Sequence, residues 1–348
     1  PLSWVEQTLG MTDAISILYH PDLEPNLIHK ELSLPTHKIK LSSKPTEALV
    51  QIDVPESTGF HVAFTSGTSK TPKAILVERK QVYHYFNNQK EWNYTSDDCT
   101  LPTAGVQFDI HIQEIWGALL SHSRIIVAKK VQILSSDSLA ALVTAHCVTK
   151  IFMVPKIFEL HVKSKHRDQL FGQLSGLLIG GETVALSAFD LATRFPSLHV
   201  VSAYGPAECT FWVLFHRIQP FKNHALYKSK IPLGTRFTPG THASINNESL
   251  GEIPLDDIRQ GEDEITGELI LYGRNVARGY LVCDVESPFF MVGEERGYRT
   301  GDVVSYNPVN QCIFFLGRTS NDFVKVNSCR VSIAEIEGQI QSLTNFEV

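Results

Sequence analysis

The sequence lacks the features that mark membrane proteins, nucleic-acid-binding proteins and zinc proteins. Its apolar runs are too short to cross a bilayer, so we expect no membrane partner. Acidic residues outnumber basic ones by 37 to 31, and the net charge of −6 offers no basic surface for nucleic acid. The 6 cysteines form no C-x-x-C pair and the 14 histidines no H-x-x-x-H pair, which leaves no signal for zinc or a dithiol redox site. Scattered thiols without a signal peptide favour a reducing, cytoplasmic compartment.

What the sequence has is the length and composition of a globular protein with more than one folding unit. Its 348 residues are 43% hydrophobic and 20% charged, which is ordinary for a chain that buries a large core. It starts at Pro1 rather than at methionine and stops at Val348, just after a helix-like stretch at 333–340. We therefore expect it to be a piece of a longer polypeptide.

Strand-like and helix-like segments alternate up to residue 212. Short apolar runs predict strands at 14–20, 60–65, 124–128, 150–154, 176–180 and 199–203. Helix-like segments are found at 110–120, 136–146, 156–171 and 184–194. This alternation predicts an α/β fold with a mostly parallel sheet that helices cover on both faces.

After residue 212 the pattern changes to short β runs separated by Gly, Pro and Asn turns. The runs at 267–272 and 312–316 are examples, and they predict a smaller antiparallel unit. Residues 322–336 predict a strand followed by a new helix.

The segment at 64–74 reads Phe-Thr-Ser-Gly-Thr-Ser-Lys-Thr-Pro-Lys-Ala and is the most informative loop in the chain. Its hydroxyl groups and closing lysine could wrap a polyphosphate, because hydroxyls donate to phosphate oxygens and lysine supplies a point charge. The residues concerned are Thr65, Ser66, Thr68, Ser69 and Lys73. The loop is not a Walker P-loop, since Pro72, Lys73 and Ala74 occupy the positions of its Gly-Lys-Ser/Thr. Alone, it could equally be a solvated surface loop.

Five further segments follow in a fixed order. They are Phe108-Asp-Ile-His-Ile-Gln-Glu-Ile-Trp, Ala203-Tyr-Gly-Pro-Ala-Glu, the run at 267–280 that ends Ala-Arg-Gly-Tyr, Tyr298-Arg-Thr-Gly-Asp, and the run at 317–326 that begins Gly-Arg-Thr. With the hydroxyl loop, they resemble the motifs of adenylate-forming enzymes, and most of all the adenylation domains of nonribosomal peptide synthetases. The Tyr-Gly-Pro-Ala-Glu-Cys-Thr run is similar to fungal synthetases.

The resemblance implies an activity, its cofactors and its partners. A carboxylic acid, with an amino acid favoured, would react with MgATP to give an acyl-adenylate, and a phosphopantetheine thiol on a separate carrier domain would take the acyl group. Carrier and condensation domains of the same polypeptide would be the partners. The implied domains are an α/β core at 1–212, a β-rich, barrel-like subdomain at 213–317, and a hinge with the start of a C-terminal subdomain at 318–348. Most of that last subdomain, with the family's catalytic lysine, would lie beyond Val348.

The resemblance also assigns roles to residues. The loop hydroxyls and Lys73 would handle the phosphates, and Glu208 would bind magnesium. Tyr204 would stack on adenine, Asp302 would accept hydrogen bonds from both ribose hydroxyls, and Arg318 would lie near the ribose and the hinge. The nucleotide-binding set is Gly181, Ala203, Tyr204, Gly205, Asp302 and Arg318. Without the other motifs, Tyr204, Glu208 and Asp302 could each be an ordinary turn residue.

The implied substrate pocket centres on Asp109, which would pair with the α-ammonium of an amino acid. Asp109 could instead cap the helix predicted at 110–120. The pocket set is Asp109, Ile110, Gln113, Met153, Leu178, Gly180, Ala203, Phe211 and Trp212. Phe211 and Trp212 would fill one wall, and the set holds no charged partner for an acidic or basic side chain. We therefore expect a small or mid-sized neutral amino acid.

The sequence departs from the family pattern at several positions. Lys70 and Ala74 replace glycines of the phosphate loop, Ala207 replaces a threonine, and Ser320 and Ser328 replace an aspartate and a glycine of the hinge region. We expect positions 70 and 74 to lie outside the core strands and to stiffen the loop. Besides an active adenylation domain, two alternatives stay open: a catalytically degenerate scaffold within a synthetase, and an acyl-CoA or fatty-acyl-AMP ligase.

Overall fold

The computed structural model describes residues 53–65, 73–219, 231–281 and 287–319, together with the backbone of four short strands outside these ranges. The strands are β1 (Ile17–Tyr19), β2 (Thr36–Lys38), β3 (Gly59–Thr65), β4 (Lys73–Glu78), β5 (Cys99–Leu101), β6 (Arg124–Ile125), β7 (Lys150–Met153), β8 (Gly176–Gly180), β9 (His199–Tyr204), β10 (Leu214–Arg217), β11 (Arg236–Phe237), β12 (Thr241–Asn247), β13 (Gly251–Pro254), β14 (Ile265–Gly273), β15 (Gly279–Tyr280), β16 (Phe289–Val292), β17 (Glu295–Asn307), β18 (Cys312–Arg318), β19 (Phe323–Val326) and β20 (Cys329–Ser332).

In the part of the chain that the structure describes, the α-helices lie between residues 79 and 194. They are α1 (Arg79–Asn88), α2 (Ile110–Leu120), α3 (Lys130–Leu134), α4 (Ser136–His146), α5 (Pro155–Val162), α6 (Arg167–Phe171) and α7 (Ser187–Arg194). Within the described ranges, no helix is long and apolar enough to cross a bilayer.

The largest sheet has seven strands in the order β11-β10-β9-β8-β7-β5-β6. Strands β6, β5, β7, β8 and β9 run parallel, while β10 and β11 are added antiparallel at one edge. The predicted α/β class with a mostly parallel sheet is therefore confirmed.

Both faces of this sheet are buried, and strand alternation decides which side chains each face receives. Ile151 and Met153 of β7 lie in a core cluster that they share with Leu139 of α4 and Phe158 of α5. Phe152, between them, points to a second cluster on the other face. That second cluster contains Trp92, Ile110, Phe152, Leu178, Val201, Ala203, Trp212 and Phe215.

Two antiparallel sheets complete the part of the fold that surrounds the site. A three-stranded sheet has the order β15-β4-β3, and a larger one has the order β13-β12-β14-β17-β16, with β18 paired to β17. The predicted antiparallel unit is thus confirmed. Strands β10 and β11 follow residue 212 yet extend the parallel sheet, and the domain boundaries at 212 and 317 stay a prediction.

Two local predictions differ from the structure. The helix predicted at 156–171 is two helices, α5 and α6. The turn between them is favoured by Ser164, whose hydroxyl accepts a hydrogen bond from the His166 N–H at 3.1 Å and so competes with helical pairing. At 322–336, the predicted strand is present as β19, but a second strand, β20, follows it and pairs with it as an antiparallel hairpin. The helix-like sequence that begins at Ile333 lies outside the described residues.

Glu114 of α2 holds the chain that leads into this helix. Its side chain is buried, with 1% exposed, and its two carboxyl oxygens accept the N–H groups of Thr103 and Ala104 at 2.9 Å each. Burial raises the pKa of Glu114 to about 8 and outweighs the two backbone hydrogen bonds, which act in the opposite direction.

The raised pKa of Glu114 predicts a specific pH dependence of stability. The native state keeps the proton up to about pH 8, whereas the unfolded chain releases it near the ordinary glutamate pKa of about 4.3. The free energy of unfolding should therefore fall as pH rises between these values and level off above them. Glu114→Gln should flatten this slope in urea unfolding measured from pH 5 to 9. The exposed Glu248→Gln serves as the control, and an unchanged slope in Glu114→Gln would contradict the assignment.

Candidate active site

The carboxyl ends of β8 and β9 lie side by side, with Gly180 paired to Ala203. In parallel sheets this edge is where ligands bind, because the strand ends open onto a crevice there. Gly181, which follows β8, and Gly205, which follows β9, both belong to the predicted nucleotide-binding set. Gly181 has a φ of +92°, which side-chain-bearing residues rarely adopt. At Gly205, a β-carbon would lie 1.8 Å from the carbonyl oxygen of Phe211, so only glycine fits at this position.

Tyr204, Asp302 and Arg318 form one hydrogen-bonded group at this edge. The Tyr204 hydroxyl donates to Asp302 Oδ2 at 2.5 Å, and Arg318 Nε lies 2.5 Å from Asp302 Oδ1. Strands β17 and β18 place Asp302 and Arg318 opposite each other. Burial, with the Asp302 charge as a second cause, raises the pKa of Tyr204 well above its ordinary value, so its hydroxyl remains a donor.

Asp302 fits the predicted role toward a ribose. Its side chain is buried, with 3% exposed, and it lies within β17, so it is not the turn residue of the alternative interpretation. A carboxylate accepts up to about four hydrogen bonds, so its contacts with Tyr204 and Arg318 are compatible with ribose hydroxyls as additional donors.

The residues predicted to handle phosphates begin and end at the β3–β4 hairpin, in which Thr65 pairs with Lys73. The Thr65 hydroxyl is buried and has no hydrogen-bond partner among the described residues. A phosphate oxygen would satisfy it, which makes the hairpin end suitable for a polyphosphate. The other predicted loop hydroxyls, on Ser66, Thr68 and Ser69, lie outside the described residues.

Glu208 is buried in a short 3-10 helix at Ala207–Cys209, with 3% exposed. Its Oε1 accepts a hydrogen bond from the Tyr280 hydroxyl at 2.9 Å. The Lys73 ammonium lies over the same Tyr280 ring, 5.2 Å from its centroid. Tyr280 therefore joins the predicted phosphate and metal residues, a role that its place at the end of the 267–280 segment did not reveal.

Glu208 also suits magnesium in a nucleotide complex. Within the described residues, no group of three His, Cys, Asp or Glu side chains could hold a metal by itself. Magnesium commonly takes one or two carboxylates and completes its shell with water and substrate phosphates. A buried carboxylate near the residues predicted to handle phosphates fits that pattern.

Thr210, which follows this helix, lies in a strained turn that sets the direction of Phe211 and Trp212. Thr210 has φ 74° and ψ −69°, and the Phe211 N–H donates to the Cys209 carbonyl at 3.0 Å, which together define a γ-turn of the rare kind. The Thr210 hydroxyl donates to the Asn275 carbonyl at 2.7 Å and helps to hold it. Such a backbone costs about 1–3 kcal/mol and is typical of functional sites.

Phe211 and Trp212 consequently lie in different clusters. Phe211 packs against Tyr85, with ring centroids 5.1 Å apart, in a cluster with Ile75 and Val77 of β4. It is therefore apart from the other predicted pocket residues. Trp212 lies with Ala203 on the site side of the parallel sheet.

Most of the predicted pocket residues are brought together around Trp212. Ile110, Leu178, Ala203 and Trp212 share one cluster, and Trp212 Nε1 donates to Gln113 Oε1 at 2.8 Å. Gly180 lies directly under the indole. Met153 is on the opposite face of the sheet, and Phe152 occupies the site face instead. The strict alternation of β7 is the signal that could have identified Phe152.

Asp109 lies at the N-terminus of α2, immediately before Ile110 in that cluster. Its Oδ1 accepts the Ile110 N–H at 2.9 Å. A usual N-cap has extended backbone and bonds the second or third helical N–H, whereas Asp109 has helical backbone and bonds the first. Its role toward a substrate ammonium stays a prediction.

The expectation about Ala74 was wrong in one respect. Ala74 lies within β4, is 1% exposed, and accepts the Leu281 N–H at 2.8 Å through its carbonyl. It therefore belongs to a core strand, where alanine fits without the backbone freedom of glycine. Lys70 lies outside the described residues.

Comparisons with known proteins agree with this architecture. A linear gramicidin synthase of Brevibacillus parabrevis is 29% identical over 293 residues, which cover 82% of this chain and 4% of that protein. Among solved structures, an NRPS protein containing adenylation and PCP domains matches with a TM-score of 0.82 at 24% identity, over 98% of this chain and 57% of that one. The Vibrio cholerae adenylation domain AlmE, in complex with glycyl-adenosine-5'-phosphate, matches with a TM-score of 0.79 at 22% identity, over 99% of this chain and 68% of that one.

The family comparison covers most of the sequence. The AMP-binding enzyme family matches residues 6–281, a range that contains the hydroxyl loop, Tyr204, Glu208 and Tyr280. The resemblance that the motifs indicated is thereby confirmed, and the chain belongs to the AMP-binding enzyme family.

Proposed function

We propose that this chain activates an α-amino acid as its acyl-adenylate, using MgATP, in a multidomain peptide synthetase of the cytoplasm. The observation that carries the proposal is the hydrogen-bonded group of Tyr204, Arg318 and the buried Asp302 at the carboxyl edge of β9. Tyr204 of this group directly follows Ala203, which belongs to the cluster around Trp212, so a nucleotide and an acid would meet there. The similarity to gramicidin synthase and to adenylation domains supports the same activity.

The reaction requires positioning and charge neutralisation more than covalent help from the protein. A carboxylate oxygen of the acid attacks the α-phosphorus of ATP, the bond to the bridging oxygen breaks, and pyrophosphate leaves with the electron pair. Asp302 would hold the ribose, and Lys73 would place positive charge beside the leaving phosphates. Glu208 would hold magnesium, which supplies further charge neutralisation when bound.

The second half-reaction would pass the acyl group to a carrier. A phosphopantetheine thiol, as its thiolate, attacks the acyl carbon and AMP leaves, while the thiol proton goes to solvent. The partners we propose are carrier and condensation domains of the same polypeptide. The solved relative that contains adenylation and PCP domains supports the carrier as a partner.

Asp302 provides the test of nucleotide binding. Asp302→Ala should weaken MgATP binding by about 1–3 kcal/mol, which is roughly 5- to 150-fold, because hydrogen bonds to a charged group are lost. Calorimetry on the full-length protein measures this, with the exposed Asp263→Ala as the control. If the wild-type protein binds no MgATP, the proposed activity is wrong and the degenerate scaffold is favoured.

Asp109 provides the test of amino-acid recognition. Asp109→Asn keeps a side-chain oxygen that can accept the Ile110 N–H but removes the charge that would face an ammonium group. Amino-acid-dependent ATP–pyrophosphate exchange should fall by about 100- to 1,000-fold, the range expected when a partly buried ion pair is broken. MgATP binding and thermal stability should stay at wild-type values. Exchange at the wild-type rate would show that Asp109 is only a cap.

A further inference from the structure

The indole of Trp212 fills the space between the carboxyl ends of β8 and β9 and helix α2. Its Nε1 donates to Gln113 on α2 at 2.8 Å. On the other side, the ring lies directly against Gly180 of β8. A β-carbon at Gly180 would come within 2.9 Å of Trp212 and within 2.5 Å of the Ala203 carbonyl oxygen. No atom fits between the strand and the indole.

Several contacts fix the indole in this position. The Phe152 ring lies beside it, with centroids 5.7 Å apart, and the Thr238 hydroxyl donates to the Trp212 carbonyl at 3.0 Å. The γ-turn at Thr210, two residues earlier, sets the direction of the chain. The buried Gln113 Nε2 has no hydrogen-bond partner among the described residues, so the bond to Trp212 determines the orientation of this amide.

The walls around the indole are closed. Ile110, Leu178 and Ala203 are 6%, 0% and 4% exposed. A pocket deep enough for a large side chain would leave such walls in contact with solvent. A cavity of about 690 Å³ does lie between α1 and α2, but Gln113 is the only predicted substrate residue that lines it.

We propose that Trp212, held by Gln113, restricts the acid to those with small side chains, of the glycine, alanine and serine class. This inference rests on the proposed adenylation activity and names its substrate class. A bulky side chain would have to displace the indole and leave its buried N–H and the Gln113 oxygen without partners, which is unfavourable. Glycine places no atom beyond its α-carbon and leaves the indole where it is.

The test measures binding of two hydrolysis-resistant analogues to the full-length protein by calorimetry. They are glycyl and phenylalanyl adenosine sulfamates, in which a sulfamate replaces the acyl phosphate. The wild-type protein should bind the glycyl analogue at least about 100-fold more tightly than the phenylalanyl one. Trp212→Ala should reduce this ratio to about tenfold or less, because the space of the indole becomes available.

Two milder variants keep the test informative if Trp212→Ala does not fold. Trp212→Leu retains apolar volume, and Gln113→Leu removes only the anchor of the indole. Each should tighten binding of the phenylalanyl analogue by about tenfold. The matched control is Trp116→Leu on α2, since Trp116 is 43% exposed and is not part of the cluster around Trp212. That variant should keep the wild-type ratio.

The outcomes separate this inference from the activity on which it rests. Equal binding of the two analogues by wild-type protein that still binds MgATP would overturn the size restriction alone. The size restriction alone would also be wrong if Trp212→Leu and Gln113→Leu leave the ratio of the two analogue affinities unchanged. It would likewise be wrong if the protein binds MgATP but neither analogue. Absence of MgATP binding would overturn the proposed activity together with this inference.

Discussion

The structure depends on burial of both faces of the seven-stranded sheet. Because side chains alternate along a strand, every interior residue of β7 and β8 is assigned to one face, and a shift by one residue would exchange the two sets. Residues in the middle of such strands cannot bind a ligand without exposing the core. Ligand-binding residues are instead expected at the strand ends, which is where Gly180, Gly181 and Tyr204 are found.

The site is completed by side chains from the antiparallel sheets, and polar contacts join these sheets to the parallel one. Asp302 of β17 meets Tyr204 of β9, and Tyr280 of β15 meets Glu208. A third contact links Arg296 of β17 to the buried Glu78 of β4 at 2.7 Å. The β3–β4 hairpin, the group of Tyr204, Asp302 and Arg318, and the cluster around Trp212 are therefore held close to the carboxyl edge of the parallel sheet.

Much of the fold could be predicted from the sequence, because six motifs in order indicated a family and apolar runs marked the strands. The side-chain partners could not be predicted in the same way. Alignment placed Met153 at the pocket, but the face to which it points depends on the register of β7. The contact of Trp212 with Gln113 joins residues 99 positions apart, and no local pattern encodes it. Tyr280 was overlooked for the same reason, since its partners Lys73 and Glu208 are distant in sequence.

The distance between the partners also bears on how the protein is made. Tyr204 and Asp302 are separated by 98 residues, and Glu208 and Tyr280 by 72. Contacts between such distant residues form late, because the intervening chain must first be ordered. On the ribosome, the group of Tyr204, Asp302 and Arg318 cannot assemble until Arg318 has left the exit tunnel. In the proposed reaction, an unfinished chain therefore lacks this contact with the ribose of ATP until residue 318 has been made.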